Sequence, residues 1–231
     1  MKSKKILDGL YLVGSDSLSG PGDSMVYALG VGKNNICLID AGTQYAQQIL
    51  NNITETELKN SEISDLILTH CHFDHIGAAH QFQEIYPNIK TYAHSWDLAA
   101  ITGQPNTQQL TAANWYGQEL VPPKIDYVIK KDIEILNIKG TKLTCYHTPG
   151  HTPGSIAVLY ENGEGIKVLF GQDIHGPFMD EFNSNINDWA KSMKLLINIG
   201  ADILCEGHYG VFKGKDNVKN FIQGQLKANG F

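Results

Sequence analysis

Apolar residues in this chain fall into short runs of two different spacings, separated by turn-forming residues. Runs at 10–13, 26–29, 36–39 and 66–68 are continuous or alternating, rich in Val, Ile, Leu and Tyr, and predict strands. Further strands are expected at 91–93, 133–138, 141–146, 155–160, 166–170 and 202–205, with Lys139-Gly140 and Asn162-Gly163-Glu164-Gly165 as hairpin turns. Elsewhere the spacing is three and four. Ala46, Ile49, Leu50, Ile53 and Leu58 predict a surface helix over 44–60, and Trp189, Met193, Leu196 and Ile197 predict another over 187–199. Helices are also expected from 78 to Pro87, around 96–100 and over 216–228. Between 103 and 123 regularity falls away. This polar insert, with Trp115 and Tyr116, reads either as the wall or lid of a pocket or as a loop anchored by ordinary hydrophobic contacts.

Chemistry-bearing residues collect where the strands end. The run 66–68 empties into Thr69-His70-Cys71-His72-Phe73-Asp74-His75-Ile76-Gly77, three imidazoles and a carboxylate within six positions. Imidazole nitrogen and carboxylate oxygen are donors a zinc-like cation takes, and four such groups this close can be divided between two adjacent cations. His70 and His72, two apart in extended chain, point the same way and can share one cation. Asp74 and His75 follow where the chain turns and can reach toward a second. Gly77 is expected to permit the sharp exit into the next helix.

The remaining donors come from three later strand ends. His151 stands between two Pro-Gly pairs in Thr148-Pro149-Gly150-His151-Thr152-Pro153-Gly154, a rigid turn that presents its ring as a fifth ligand, while His147 ends the strand before it. Asp173 closes Gly171-Gln172-Asp173; two cations held close need an anion between them, and this carboxylate is the candidate. Glu206-Gly207-His208 adds a further metal-type residue, and Gly207 lets the backbone come near the site. Asp40, after the run 36–39, is either a carboxylate that orients a metal-binding histidine or a turn or helix cap. His94 reads as structural, and His175 either contacts substrate or solvent or is a plain surface residue, the latter being the expectation. Cys71, opposite to His70 and His72 in an extended segment, reads as packing.

At 231 residues and 42% hydrophobic content the chain can bury one substantial core, and one domain over residues 1–231 is expected. The formal net charge of -6 comes from scattered Asp and Glu, with no basic block beyond Lys2 to Lys5, which argues against a nucleic-acid partner. That opening meets Asp8 after two apolar residues, so no signal-peptide core forms, and no run reaches the length of a membrane-spanning helix. No membrane partner is expected. Cys37, Cys71, Cys145 and Cys205 are dispersed without a C-x-x-C pair, in keeping with a reducing cytoplasm.

The series His70, His72, Asp74, His75, His151, Asp173 and His208 resembles the metallo-β-lactamase superfamily over nearly the whole chain. The resemblance rests on Thr-His-Cys-His-Phe-Asp-His-Ile-Gly, Thr-Pro-Gly-His-Thr-Pro-Gly-Ser, Gly-Gln-Asp and Glu-Gly-His. It implies an α+β fold, a four-layer αββα sandwich, with the site in a cleft at the edge of two sheets. It implies that His70, His72 and His151 hold one metal and Asp74, His75 and His208 the other, with Asp173 bridging.

The function so implied is that of a dinuclear metal-dependent hydrolase with two divalent metal ions, zinc or else iron or manganese. A metal-bridging hydroxide attacks, the metals stabilise the developing oxyanion, and Asp74 beside the water holds or passes its proton. Secreted zinc β-lactamases have no bridging aspartate, and nucleases with a similar motif need extra nucleic-acid-binding segments. The expected substrate is therefore a small ester, thioester or lactone, as in glyoxalase II-like and lactonase-like branches. Lactonases of this kind usually carry a Tyr shortly after the bridging Asp, where Ile174-His175-Gly176 stands here. The alternatives are a mononuclear iron oxidoreductase of sulfur compounds, of the persulfide dioxygenase type, and a phosphodiesterase. The oligomeric state stays open, a homodimer included.

Overall fold

In the computed structural model, which describes residues 3–231, two β-sheets pack against each other through one shared apolar seam. Met1 and Lys2, where the basic opening begins, lie outside the described residues. The first sheet follows chain order: β1 (Lys4–Leu7), β2 (Leu10–Gly14), β3 (Val26–Val31), β4 (Asn35–Ile39), β5 (Glu62–Ile67), β6 (Lys90–His94) and β7 (Tyr127–Ile129). From β1 to β4 the pairs are antiparallel, and from β4 to β7 they are parallel. Parallel neighbours require crossovers, and these contain α1 (Ala46–Thr54), α2 (Phe73–Ile76), α3 (Ala79–Ile85) and α4 (Leu98–Ile101).

The second sheet is built from β8 (Ile133–Ile138), β9 (Thr141–His147), β10 (Ile156–Glu161), β11 (Lys167–Gln172), β12 (Ile203–Glu206) and β13 (Val211–Lys213), in sequential spatial order. Only β11 and β12 pair in parallel, and α5 (Ile186–Ile199) makes their crossover; α6 (Lys215–Ala228) ends the described chain.

Strand alternation sets the layers. Along β4, Ile36 and Leu38 face the helices, whereas Cys37 and Ile39 face the other sheet. Along β11, Val168 and Phe170 enter the seam between the sheets and Leu169 points to α5 and α6. Three apolar seams result. One holds Ile49, Ile53 and Phe82 against the first sheet, the middle one joins the sheets, and the third packs Trp189, Met193 and Ile222 on the second sheet. Three seams separate four layers, the αββα arrangement that the motifs imply.

Three strands were not foreseen: β1, β7 and β13, each at the edge of a sheet. The helix expected over 44–60 is confined to Ala46–Thr54. Its end is set locally: the buried Asn52 amide donates to the Val13 carbonyl at 2.8 Å, and Thr56 Oγ1 donates to the Ile53 carbonyl at 2.7 Å, turning the chain. The insert is two short 3-10 turns, Gln108–Thr111 and Ala113–Tyr116. All four cysteines are buried and free, three in the middle seam and Cys71 in the first, which agrees with its reading as packing.

Candidate metal centre

The ends of β4, β5, β9, β11 and β12 meet at one edge of the sandwich. Two of them are turned by residues outside the usual backbone range: Asp40 after β4 has φ +64° and Gln172 at the end of β11 has φ +51°. A left-handed conformation at a residue with a Cβ costs free energy, and here it aims a carboxylate in each sheet: Asp40 itself in one and Asp173 in the other.

All seven sequence-predicted donors are brought together, in two adjacent groups. His70, His72, His151 and Asp173 offer atoms within 4.8 Å of one another, as do Asp74, His75 and His208. Asp173 lies between the groups. Its Oδ2 is 3.4 Å from His151 Nε2 and 3.9 Å from His70 Nε2, while its Oδ1 is 3.1 Å from His75 Nε2. In the second group His208 Nε2 stands 3.1 Å from Asp74 Oδ2. Both sheets contribute: the first four donors of the chain follow β5, and the last three follow β9, β11 and β12.

The rings are aimed from behind. His75 Nδ1 donates to Asp40 Oδ2 at 2.8 Å, and Asp40 also accepts from the Thr69 amide and hydroxyl at 2.8 Å each. This selects the ring-orienting reading of Asp40 over the cap. His151 Nδ1 donates to the Pro177 carbonyl at 2.8 Å. With their Nδ1 atoms engaged, both rings turn Nε2 toward the cluster. His72 presents Nδ1, 2.9 Å from His151 Nε2. His70 Nε2, His75 Nε2 and Asp173 Oδ1 are buried within the donor cluster without a hydrogen-bond partner; His72 Nε2, on the side of the ring away from its cluster-facing Nδ1, is unpartnered too, as are His94 Nε2 and Gln172 Nε2 outside the donor set. Buried polar atoms are normally paired, so unpartnered ring nitrogens of His70 and His75 and an unpartnered oxygen of Asp173 inside the donor cluster fit cation binding there.

In the metal-free chain the charge is shared unevenly. Burial disfavours charge on His75 and His208, yet the Asp173 carboxylate beside both holds them protonated, His208 up to about 10. Burial, reinforced by the neighbouring His75, pushes His70 well below the ordinary histidine range. Burial likewise lowers His72, to about 3.

Three supports lay outside the sequence reading. Asp97, just after β6, accepts from the Cys71 amide at 3.0 Å and from Thr152 Oγ1 and the Gly154 amide at 2.6 Å, tying the His70–His72 loop to the turn that carries His151. No motif marks it. Glu206, fully buried, accepts from the His208 and Tyr209 amides at 2.7 Å and from His175 Nδ1 at 2.9 Å. His175 is thereby a fixed part of the cleft wall, which corrects the expectation of a plain surface residue and agrees with the other reading, a residue placed to meet substrate. Phe182 sets its ring against His72, centroids 4.4 Å apart.

Glycine is needed for close approach at two points. A Cβ at Gly207 would lie 2.1 Å from Asp173 Oδ1, as the close backbone there requires. Gly77 is in the ordinary helical region, not a special turn; its Cβ would meet the Thr43 carbonyl at 2.1 Å. His94 is buried and stacks on His147, centroids 4.0 Å apart, and His147 ends β9.

Above the donors lies a cleft of about 130 Å³, walled by Ala112, Trp115, Tyr116, His175, Pro177 and Phe182. Of the two readings of the insert, the pocket wall holds. Tyr116 packs on Phe73 and Trp115 on Phe182, with ring centroids 5.5 and 5.1 Å apart. A larger cavity of about 660 Å³ lies behind the same insert, lined by Gln108, Gln109, Asn114 and Gln118 among others, away from the donors.

A family model described as the metallo-beta-lactamase superfamily matches residues 19–208. A protein of Methanocaldococcus jannaschii, named as a probable metallo-hydrolase, is 38% identical over 146 residues, covering 63% of this chain and 66% of that protein. The hydroxyacylglutathione hydrolase GloC of Haemophilus influenzae is 29% identical over 151 residues, 62% of each chain. The aligned region thus spans about two thirds or less of the length of these relatives. A metallo-beta-lactamase of Cronobacter sakazakii superposes with a TM-score of 0.80 at 18% identity, covering 99% of this chain and 96% of the other, a likeness of fold.

Proposed function

This chain belongs to the metallo-beta-lactamase superfamily, and on that premise we propose that it is a dinuclear metal-dependent hydrolase of a small ester, thioester or lactone. The observation that carries the reading is the pair of adjacent donor groups with Asp173 between them and orphaned ring nitrogens aimed inward. His70, His72 and His151 would hold one divalent cation, Asp74, His75 and His208 the other, with Asp173 shared; zinc, iron and manganese all suit mixed nitrogen and oxygen donors. Bound there, the two cations supply a water acidic enough to act at neutral pH and Lewis acidity toward the substrate's oxygen.

The chain's own groups do the rest. Asp40 and the Pro177 carbonyl keep His75 and His151 in the tautomer that frees Nε2. The Asp74 carboxylate, on the cleft wall, receives the proton released from water and returns it to the leaving group. Thr69 and Asp97 hold the ligand loops still while bonds change. The name of the Haemophilus relative supports a thioester among the substrate classes. The reading takes the chain as one domain acting on a small molecule, without a nucleic-acid or membrane partner. Four buried free thiols support a reducing compartment such as the cytoplasm, and no helix among the described residues is long and apolar enough to cross a membrane.

The test is metal content on protein purified without added metal, followed by a panel of thioesters, lactones and phosphodiesters. Two metals per chain with turnover of a thioester, ester or lactone are expected, and Asp173→Ala should abolish turnover and lower metal content. One iron per chain with oxygen uptake and no hydrolysis would move the assignment to the sulfur-compound oxidoreductase.

A further inference from the structure

The substrate's charge is legible in where the cations of this protein are not. The chain holds 18 lysines and no arginine, so the guanidinium fork that grips carboxylate and phosphate in pairs is absent throughout. The cleft is lined from the segments 69–77, 103–123, 173–185 and 206–210, and none of these, nor 15–25 and 147–155 that pack beside them, contains a lysine. Their exposed charges are all carboxylates. Asp180 and Glu181 immediately precede Phe182 of the cleft wall and are exposed. Asp16 caps the turn of Gly22, which packs on Tyr116.

Metal charge does not reverse this balance. Two divalent cations would be met within the centre by four buried carboxylates, Asp40, Asp74, Asp173 and Glu206. An incoming anion therefore sees a neutralised centre behind a negative rim.

The size of the cleft says which part of a substrate feels that rim. At about 130 Å³ it admits a reacting group and little else, whereas whole small ligands typically occupy about 300–1,000 Å³. The remainder must lie across the mouth, where Trp115 is 53% and Tyr209 62% exposed and Met179 stands beside Asp180. Tyr209 packs at a tilt on His175, and Trp115 on Phe182, so these side chains continue the cleft wall outward. Large apolar side chains held open at a pocket mouth suit an apolar arm.

We propose that the substrate is an uncharged ester, thioester or lactone with an apolar arm, selected by a rim of aromatic faces and carboxylates that lacks any cationic side chain. This rests on the hydrolase reading above and narrows it: thioesters of anionic carriers such as glutathione or coenzyme A, and phosphodiesters, are poor substrates. No lysine or arginine of the lining segments would pair with their carboxylates or phosphates, and the exposed Asp16, Asp180 and Glu181 repel them over roughly a Debye length, about 8 Å at physiological salt.

The experiment compares one acyl group on three thiols. Hexanoyl thioesters of N-acetylcysteamine, glutathione and coenzyme A, with a hexyl-substituted lactone alongside, are given to the metal-loaded full chain at low and high salt. The neutral thioester or the lactone should lead the charged ones by about tenfold or more in kcat/KM at low salt, within the range electrostatic steering reaches. Raising salt should narrow that lead by quickening the anionic substrates. The double reversal D180K/E181K should narrow it too, and Trp115→Ala should erase the advantage of hexanoyl over acetyl in KM. No turnover of any ester, thioester or lactone would overturn the hydrolase reading itself. Turnover led by the glutathione or coenzyme A thioester, or a ratio indifferent to salt and to charge reversal, would leave that reading standing and overturn the neutral-substrate assignment.

Discussion

His175 and Glu206 show how a single contact changes what a residue is for. The Glu206 carboxylate is fully buried and spends both oxygens on N–H donors, two of them backbone amides of the turn that carries His208. Its third partner is His175 Nδ1, which must donate, so Nε2 is the nitrogen left to the cleft. Glu206→Gln keeps an acceptor for the amides but turns an NH2 toward the ring. The imidazole would then present the other tautomer. We expect kcat to fall about 10- to 100-fold, as outer-shell partners of metal sites typically do, with metal content retained. Metal analysis beside steady-state kinetics checks it, and a drop in kcat that tracks metal loss would reduce Glu206 to a scaffold for His208. The sequence showed Glu206 beside His208 but not its distant partner, because His175 and Glu206 are 31 residues apart and meet only when β11 and β12 pair.

At the scale of elements, what was readable is what repeats a pattern. The central strands carry runs of apolar residues because both faces are covered, and the spacing of Trp189, Met193 and Leu196 marks α5. The missed β1, β7 and β13 are three or four residues long and each has a single neighbour, so their sequences answer to one strand instead of two cores. The donors were readable because strand ends concentrate them in motifs. The brace between two ligand loops was not: Asp97 follows β6 and looks like any turn aspartate until the fold brings Cys71 and Gly154 to it. Asp97→Ala should strand both amides in a buried setting, at about 1–3 kcal/mol each. Lower thermal stability together with weaker metal retention is the expected result, read by calorimetry and metal analysis. Lost stability with undiminished metal binding would show that the two loops hold their geometry without the brace.

The molecule as a whole places its candidate centre where its halves meet. Four donors follow a strand of the first sheet and three follow strands of the second, while the middle apolar seam joins the same two sheets behind them. Cations shared across that edge would add a second fastening to the one that hydrophobic burial supplies. Without them, Asp74, Asp173 and Asp40 face the clustered imidazoles in a buried space, where only the protons held on His75 and His208 offset the carboxylates. Chelation should therefore loosen both halves together. At a thousandfold excess of metal over its dissociation constant, binding to the folded state stabilises by about 4 kcal/mol, and a chain of this size gains roughly 2–4 °C in Tm per kcal/mol. A fall of about 10 °C on treatment with chelator, restored by divalent metal, is the expected outcome in a thermal scan. The asymmetry of the donors sharpens it: in His208→Ala, which spares the His70, His72 and His151 group, part of the metal-dependent shift should persist, whereas Asp173→Ala, which removes the carboxylate that lies between the groups and is proposed to be shared, should erase most of it. Equal shifts in the two variants would mean that the groups load independently and that Asp173 does not couple them.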